Sequence, residues 1–257
     1  MSAETTYDVC IVGGGVAGLS AATFTARHGL ETLVLDAGES ILRRNAHLEN
    51  FPGFPAGVNA RLLLELMGDQ ADRAGAERRD AEVTRVGRAG DENGTSPGEE
   101  NSRFVVETAD IGRYRTEYVV AATKNAVDYL DVDGVGVIDR GKSFVDVDEG
   151  GRTGVDGLYA AGRLAEKPHQ TVVCAGHGAE VAVALLEDAD RPFYHDWVTP
   201  EGYFTDRGRD LPPGCEEIDA DERDRRERES LDAMAAYFAE PHPDEQETHP
   251  SLTGSEQ

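Results

Sequence analysis

Residues 8–22 read DVCIVGGGVAGLSAA, and this stretch decides the fold. A short apolar run leads into Gly13-x-Gly15-x-x-Gly18, followed by small and apolar residues at helical spacing. Gly13 permits a tight turn, Gly15 lets the backbone approach a pyrophosphate, and Gly18 lets a helix pack closely on a strand. The sequence ETLVLDAG, residues 31–38, then predicts a second strand. This β-turn-α-β pattern predicts an α/β fold with a central parallel sheet.

The same stretch carries a nucleotide fingerprint. Asp36 ends the second predicted strand, 18 positions beyond Gly18, where its carboxylate can accept hydrogen bonds from a ribose. The helix N-terminus favours the phosphate charge. A carboxylate at this position repels a 2′-phosphate, which disfavours NADP. The motif alone does not separate NAD from FAD, and a Gly-rich turn without a ligand stays open as an alternative.

The rest of the chain extends this unit. The predicted elements are a helix over 59–77, a strand over 81–88, strand pairs over 103–123 with a turn near Gly112, and a helix over 171–188. Between them, the polar, Gly-rich segment 90–102 is predicted to be a loop. We expect a cofactor-binding domain over residues 1–195. Residues 196–257 form an acidic C-terminal extension whose last part is predicted to be disordered.

The composition restricts the partners and the compartment. The net charge is −25, from 50 acidic and 25 basic side chains, and lysine occurs only as Lys124, Lys142 and Lys167. Such a surface suits concentrated salt and indicates a halophilic cytoplasm, with an acidic mesophilic protein as the alternative. The charge argues against nucleic acid and anionic membranes as partners. No signal-peptide or membrane-spanning pattern is visible. The three cysteines show neither CxxC nor zinc spacing, so no metal is expected.

Four segments resemble the thioredoxin-reductase-like branch of the FAD-dependent pyridine nucleotide–disulfide oxidoreductases. They are DVCIVGGGVAGLSAA, HLENFPGFP (47–55), TEYVVAAT (116–123) and RTGVDGLYAAGRLAEKPHQTVVCAGHGAEVAVAL (152–185). DAGESILRRN (36–45) is also similar to shorter relatives. The resemblance implies a Rossmann-like FAD-binding domain with a central parallel sheet and a small antiparallel β-meander. It also implies an FAD-dependent oxidoreductase that forms homodimers.

The resemblance further implies which residues contact FAD. At the adenosine end, it places Gly13, Gly15, Val16 and Ala17 at the pyrophosphate, Asp36 at the ribose and Val83 at the adenine. At the flavin end, it places Asn45 and His47 beside the flavin and Gly162 and Arg163 at the ribityl and phosphate region. Gln170 and Thr171 would lie at the pyrimidine edge of the flavin.

Three departures from the family pattern stand out. The acidic residue that usually follows Ala-Gly is Arg163, which can only donate hydrogen bonds and could pair with a flavin phosphate. The Ala-Thr-Gly turn ends in Lys124. Thr123 to Thr153 spans about thirty residues, too few for the NAD(P)H domain that the family inserts there. We therefore expect a form that lacks this domain and its dithiol.

His169 and Cys174 are the catalytic candidates. His169 directly precedes Gln170 and is a candidate proton donor, or else a solvated histidine. Cys174 lies one turn inside the helix and is either a reactive thiol or a small packed residue. Without a nicotinamide domain, the expected electron source is a small redox partner, either ferredoxin or a dithiol, or nicotinamide that binds transiently. Two rival hypotheses are a non-catalytic FAD- or ADP-binding regulatory or scaffold protein, and an NAD-binding Rossmann enzyme unrelated to flavin.

Overall fold

The chain folds into two units. The computed structural model describes residues 5–38, 40–90, 102–110, 112–191 and 196–253. The first unit comprises residues 1–185 and 245–257, and the second comprises residues 186–244. This division differs from the predicted domains 1–195 and 196–257, because the C-terminal segment returns to the first unit. Most of the predicted loop 90–102 lies outside the described residues.

A seven-stranded mixed sheet forms the centre of the first unit, in the order β3-β2-β1-β6-β5-β4, with β9 also paired to β6. Its strands are β1 (Thr5–Val12), β2 (Thr32–Asp36), β3 (Glu77–Asp80), β4 (Val83–Arg88), β5 (Phe104–Thr108), β6 (Arg113–Ala121) and β9 (Leu158–Ala160). β3, β2, β1, β6 and β9 run parallel, whereas β4, β5 and β6 form an antiparallel meander. The predicted α/β class, with a parallel sheet and a small meander, is confirmed.

β6 joins the two parts of the sheet because its halves have different partners. Its first half pairs antiparallel with β5, from Arg113 to Thr116. Its second half pairs parallel with β9, from Val119 to Ala121. β1 runs along its other side for the whole length. Val119 and Val120 have no exposed surface, as expected for a strand covered on both faces.

The described part of the first unit contains the helices α1 (Val16–Arg27), α2 (Ala60–Ala74) and α3 (Thr171–Asp188). α1 packs on β1, β2 and β6, and α2 packs on α1. The Asn59 side chain caps α2 by accepting from the N–H groups of Arg61 and Leu62, at 2.9 and 3.3 Å. Gly75 ends the helix in the left-handed conformation. No helix among the described residues is both long enough and apolar enough to span a bilayer.

Residues 124–152 connect β6 to β9 through turns and one antiparallel hairpin. Its strands are β7 (Val137–Asp139) and β8 (Ser143–Val145). Phe144 is almost fully buried, and Arg140 pairs with Glu166 at 3.1 Å. The hairpin is thereby held against the 3₁₀ turn Gly162–Ala165 that follows β9.

The second unit contains the parallel strands β10 (Trp197–Pro200) and β11 (Cys215–Ile218), followed by α4 (Ala220–Tyr237). The Glu217 carboxylate accepts from the N–H groups of Gly202, Phe204 and Thr205. These bonds lower the pKa of Glu217 to about 2, the bond from Phe204 most of all. The loop between the strands is therefore organised around one carboxylate.

The last described segment lies on the first unit and includes the short α5 (Pro250–Thr253). The Glu247 N–H donates to the Arg43 carbonyl at 3.0 Å, and the two side chains approach to 3.9 Å.

We predict that Asn59→Ala lowers the free energy of unfolding of the protein by about 1 kcal/mol, because two N–H groups at the start of α2 lose their acceptor. Urea unfolding at fixed salt measures the change. Asn59→Asp is the matched control, since it keeps an acceptor at the same place. Equal losses in both variants would contradict a capping role.

Candidate functional site

The Gly-rich turn joins β1 to α1 and packs against the end of β6. Gly13 has a φ of 107°, and a Cβ there would lie 2.8 Å from the Ala122 carbonyl oxygen. A Cβ at Gly18 would overlap the Gly13 carbonyl oxygen. The fold itself therefore requires both glycines, because a side chain at either position would push neighbouring backbone apart.

Gly15 is different, because the fold does not require a glycine there. Its φ of −78° and ψ of −178° suit any residue, and a Cβ would meet only the Ser40 Oγ, at 3.7 Å. Gly15 is the N-cap of α1, and no side chain caps this helix. The first bond of the helix runs from the Leu19 N–H to the Gly15 carbonyl. The N–H groups of Val16 and Ala17 are therefore available to an anion beside an open space.

Asp36 lies at the edge of this space. A Cβ on Gly14 would lie 2.8 Å from the Asp36 Cβ, so the carboxylate is next to the Gly-rich turn. Within the described residues it has no hydrogen bond or ion pair. The Asp36 carbonyl accepts from the Ala81 N–H at 2.9 Å, which brings Val83, at the start of β4, to the same end of the sheet. The contacts of Asp36 with a ribose and of Val83 with an adenine stay predictions.

Two further glycines, from later parts of the chain, are in close contact with Ala17. A Cβ at Gly162, whose φ is 66°, would lie 2.7 Å from the Ala17 Cβ. A Cβ at Gly178, inside α3, would overlap the Ala17 carbonyl oxygen. The Gly162 N–H donates to His177 Nδ1 at 2.9 Å. These contacts bring the returning 3₁₀ turn and α3 onto the first turn of α1.

The N-terminus of α3 presents a partly exposed apolar surface. Thr171 begins the helix, and the Gln170 Oε1 accepts from Asn50 Nδ2 at 2.9 Å. Val172 and Val173 are 36% and 38% exposed. A flat, partly apolar ligand that carries negative charge near its edge suits this combination, because the helix N-terminus attracts the charge.

Asn45 and His47 follow the 3₁₀ turn Ile41–Arg44 and are both exposed. The buried Arg61 holds this segment, since its guanidinium donates to the Asn45 carbonyl at 2.9 Å. The His47 Nδ1 lies 2.8 Å from the Glu49 carboxylate. Among the described residues, no cluster of His, Cys, Asp and Glu is arranged to hold a metal ion.

Residues 8–47 match the profile of the family described as FAD dependent oxidoreductase. Thioredoxin reductase of Treponema pallidum is 42% identical over 89 residues, which are 33% of this chain and 28% of that protein. The bifunctional thioredoxin reductase/thioredoxin of Mycobacterium leprae is 32% identical over 133 residues, which are 51% of this chain and 27% of that protein. The matched segments thus span less than a third of each relative.

Solved structures agree with this likeness. A thioredoxin reductase from Gloeobacter violaceus superposes with a TM-score of 0.58 at 20% identity, over 75% of this chain and 98% of that one. The T. acidophilum thioredoxin reductase gives 0.59 at 18% identity, over 72% and 99%. The chain is thioredoxin-reductase-like. This confirms the family resemblance and the Rossmann-like fold predicted from the sequence.

Arg163 of this thioredoxin-reductase-like protein is engaged by the chain itself. Its guanidinium stacks on the Phe144 ring at 4.6 Å and donates to the Lys167 carbonyl at 3.1 Å. These contacts hold the β7–β8 hairpin against the returning 3₁₀ turn. A pairing of Arg163 with a flavin phosphate stays a prediction, and the structure gives the side chain a second, internal role.

His169 and Cys174 flank the start of α3. Desolvation, then Lys124 and Arg163, lower the pKa of His169, so this side chain is neutral at neutral pH. Cys174 is 7% exposed, and burial raises the pKa of its thiol above the ordinary value despite the hydrogen bond with the Gln170 backbone and the charge of Arg163. The thiol is therefore protonated at neutral pH, which agrees with a packed residue. The catalytic assignment of both residues stays a prediction.

The structure adds two residues of this thioredoxin-reductase-like protein to the sequence-based set. Gly178 permits the contact between α3 and α1, and His177 holds the Gly162 N–H. The only sequence signal for either was the Gly-x-Gly spacing at 176–178. Burial lowers the pKa of His177 to about 4, and its Nε2 has no hydrogen-bond partner in the described structure.

We predict opposite effects for two glycines of α3. Gly178→Ala should lower the free energy of unfolding by about 1–3 kcal/mol, because its methyl group overlaps the Ala17 backbone. Gly176→Ala should raise it by about 0.5–1 kcal/mol, since nothing lies within 4 Å of a Cβ there and alanine favours a helix. Thermal or urea unfolding measures both. A stabilising Gly178→Ala would show that α3 and α1 are not in close contact.

We also predict that acid destabilises the fold through His177. Its pKa is about 4 in the folded protein against 6.5 for a free histidine. Between these values the unfolded chain binds a proton that the folded chain does not, so the free energy of unfolding falls as the pH drops from 6.5 towards 4. His177→Asn should reduce this fall by about 1 kcal/mol between pH 6.5 and 5. His249→Asn, at an exposed histidine, is the control, and equal pH profiles for wild type and His177→Asn would contradict the assignment.

Proposed function

We propose that this protein is an FAD-dependent oxidoreductase of the thioredoxin-reductase type. The family profile over residues 8–47, the names of the relatives and the shared fold support this function. The relatives are matched over only about a quarter of their length, so the activity of the whole protein rests on the site described above.

Gly15 is the observation that carries the proposal. Neither its dihedral angles nor its neighbours require glycine, so the space beside it is free for a ligand. Two helix N-termini, at Val16 and Thr171, follow parallel strands of the sheet, and so does the Asp36 carboxylate, which has no hydrogen bond or ion pair within the described residues. These groups match a dinucleotide with a pyrophosphate, a ribose and an anionic ring edge, and the residues therefore fit FAD.

The chain's own groups would divide the work as follows. The N–H groups of Val16 and Ala17 bind the pyrophosphate, and Asp36 accepts from the ribose hydroxyls. FAD supplies electron transfer when it is bound. The first turn of α3, opening at Thr171, stabilises negative charge at the pyrimidine edge. His169, neutral and beside this edge, can donate or accept a proton through its ring nitrogens.

The electron donor is proposed to be a small redox partner, either a ferredoxin or a dithiol protein. Residues 124–152 hold one hairpin between β6 and β9, and none of the three cysteines forms a disulfide, so the proposed electron source lies outside these segments. The names of similar proteins include a thioredoxin reductase fused to thioredoxin and a ferredoxin-flavin thioredoxin reductase. We extend the proposal to a homodimer, which the family resemblance implies. We also place the protein in a halophilic cytoplasm, because its net charge of −25 suits concentrated salt.

A second candidate is a non-catalytic FAD- or ADP-binding protein. The stacking of Arg163 on Phe144 favours this candidate. Residue 163, which is acidic in the family, here makes a contact within the chain. This candidate keeps the dinucleotide site and dispenses with electron transfer.

One experiment separates the candidates. The protein is purified in concentrated KCl, its visible absorption spectrum is recorded, and NADH, NADPH, dithiothreitol and reduced ferredoxin are added separately without oxygen. We expect a flavin band that one donor bleaches. A flavin band that no donor bleaches supports the non-catalytic candidate. Failure to take up added FAD rejects the oxidoreductase and leaves only the ADP-binding form of the second candidate.

We predict that Gly15→Val abolishes FAD binding without unfolding the protein. The branched side chain enters the space beside α1, where the nearest atom of the described residues beyond the chain neighbours is the Ser40 Oγ, 3.7 Å from the Cβ. FAD titration followed by flavin fluorescence measures binding, and urea unfolding of the flavin-free protein measures stability. The matched control is Gly176→Ala, which also adds carbon to an open position. Retained FAD affinity in Gly15→Val would remove the basis for the proposed pyrophosphate site.

A further inference from the structure

Three cations gather at one end of the sheet in a chain that has twice as many acidic as basic side chains. Arg44 ends the 3₁₀ turn 41–44, Lys124 follows β6, and Lys142 lies in the β7–β8 hairpin. We call them the cationic cluster. Arg44 and Lys142 both act on Lys124, since desolvation and then the charges of these two cations lower the pKa of Lys124. Two of the three lysines of the whole chain belong to this cluster.

The cluster is unusual because no carboxylate neutralises it. Within the described residues, none of its members has a salt bridge or a hydrogen bond to an acidic side chain. Other arginines of the first unit are paired, as Arg78 with Asp72 at 2.6 Å and Arg85 with Asp131 at 2.8 Å. Like charges held together without an anion repel one another, so this arrangement is unfavourable until an anion occupies it.

Backbone strain at Lys124 also indicates that this lysine binds an anion. Its φ is 66°, a left-handed conformation that glycine adopts freely and that costs a lysine about 1–3 kcal/mol. Lysine stands at this strained position although the chain contains only three of them. A lysine at a position that favours glycine indicates that the charge of Lys124 has a function, such as binding an anion.

The cluster also lies against the Gly-rich turn. The Gly13 Cβ position is 2.8 Å from the Ala122 carbonyl oxygen and 3.4 Å from the Thr123 N, directly before Lys124. Lys142 is carried by the hairpin that Arg140, through Glu166, and Phe144, through Arg163, hold in place. Lys124 thus lies beside the turn whose helix N–H groups are open to a phosphate, and the charges of Arg44 and Lys142, from two other elements, act on Lys124.

We propose that Arg44, Lys124 and Lys142 form a phosphate-binding site for a nucleotide. Lysine binds phosphate as a compact point charge, and three cations on separate elements suit a group with several charged oxygens. Two sources carry this chemistry: the pyrophosphate of FAD, and the phosphates of a nicotinamide dinucleotide that docks on the FAD-loaded protein. This inference deepens the proposed function and rests on it for the identity of the nucleotide.

The test uses Lys124→Gly, which removes the charge and relieves the strain, so that the variant should be at least as stable as wild type. Lys142→Gln removes a second charge, and Arg73→Gln is the control because Arg73 already pairs with Asp69 on α2 at 2.8 Å. Each variant is titrated with inorganic pyrophosphate and with FAD in the flavin-free state. NADH and NADPH are then titrated into the FAD-loaded protein. Calorimetry measures the pyrophosphate affinity, and flavin fluorescence measures the others.

We expect pyrophosphate affinity to fall about tenfold or more in Lys124→Gly and Lys142→Gln and to stay unchanged in Arg73→Gln. A parallel loss of FAD affinity assigns the site to the cofactor, and a loss confined to NADH or NADPH assigns it to the second nucleotide. Unchanged affinities for all four probes overturn the proposal. If wild type binds pyrophosphate but not FAD, the proposed flavin function fails while the phosphate site stands.

Discussion

The first turn of α1 depends on contacts that leave no room for side chains. Gly13 lies against the end of β6, Gly18 lies under the Gly13 carbonyl, and Gly162 and Gly178 press on Ala17 from two later segments. Any Cβ at these places would move backbone rather than a flexible side chain. The relative positions of the Gly-rich turn, the returning segment and α3 are therefore fixed together, and the open space beside Gly15 is what these contacts leave.

Local pattern was enough to predict the elements that carry this arrangement. β1, α1 and β2 follow from an apolar run, small residues at helical spacing and a second apolar run. β3 was not predicted, because its sequence ERRD is polar at every position. It pairs with β2 on one side only and lies at the edge of the sheet, where charged side chains stay in water. β10 and β11 escaped prediction for a similar reason, since each is four residues long and has one partner.

The residues of the site likewise fall into those that local sequence pattern predicts and those that it does not. Gly13, Gly15 and Asp36 could be predicted, because their spacing within one β-α-β unit fixes their geometry. The role of Gly178 could not, since it depends on which helix crosses Ala17. The engagement of Arg163 by Phe144 likewise joins residues brought together only by the β7–β8 hairpin. Sequence left the Cys174 thiol open as reactive or packed, and burial could not be read from it. In the structure, desolvation raises the pKa of this thiol more than the hydrogen bond with Gln170 and the charge of Arg163 lower it.

The return of the C-terminal segment makes the second unit an insertion rather than an appendage. The chain leaves the first unit after Leu185 and rejoins it at Glu245, where the Glu247 N–H meets the Arg43 carbonyl. A stop codon placed after α3 would thus remove the second unit and also strip a native contact from the segment before Asn45. Only an internal deletion that rejoins the chain across residues 186–244 separates the two effects, and circular permutation within this unit would leave both of its connections intact.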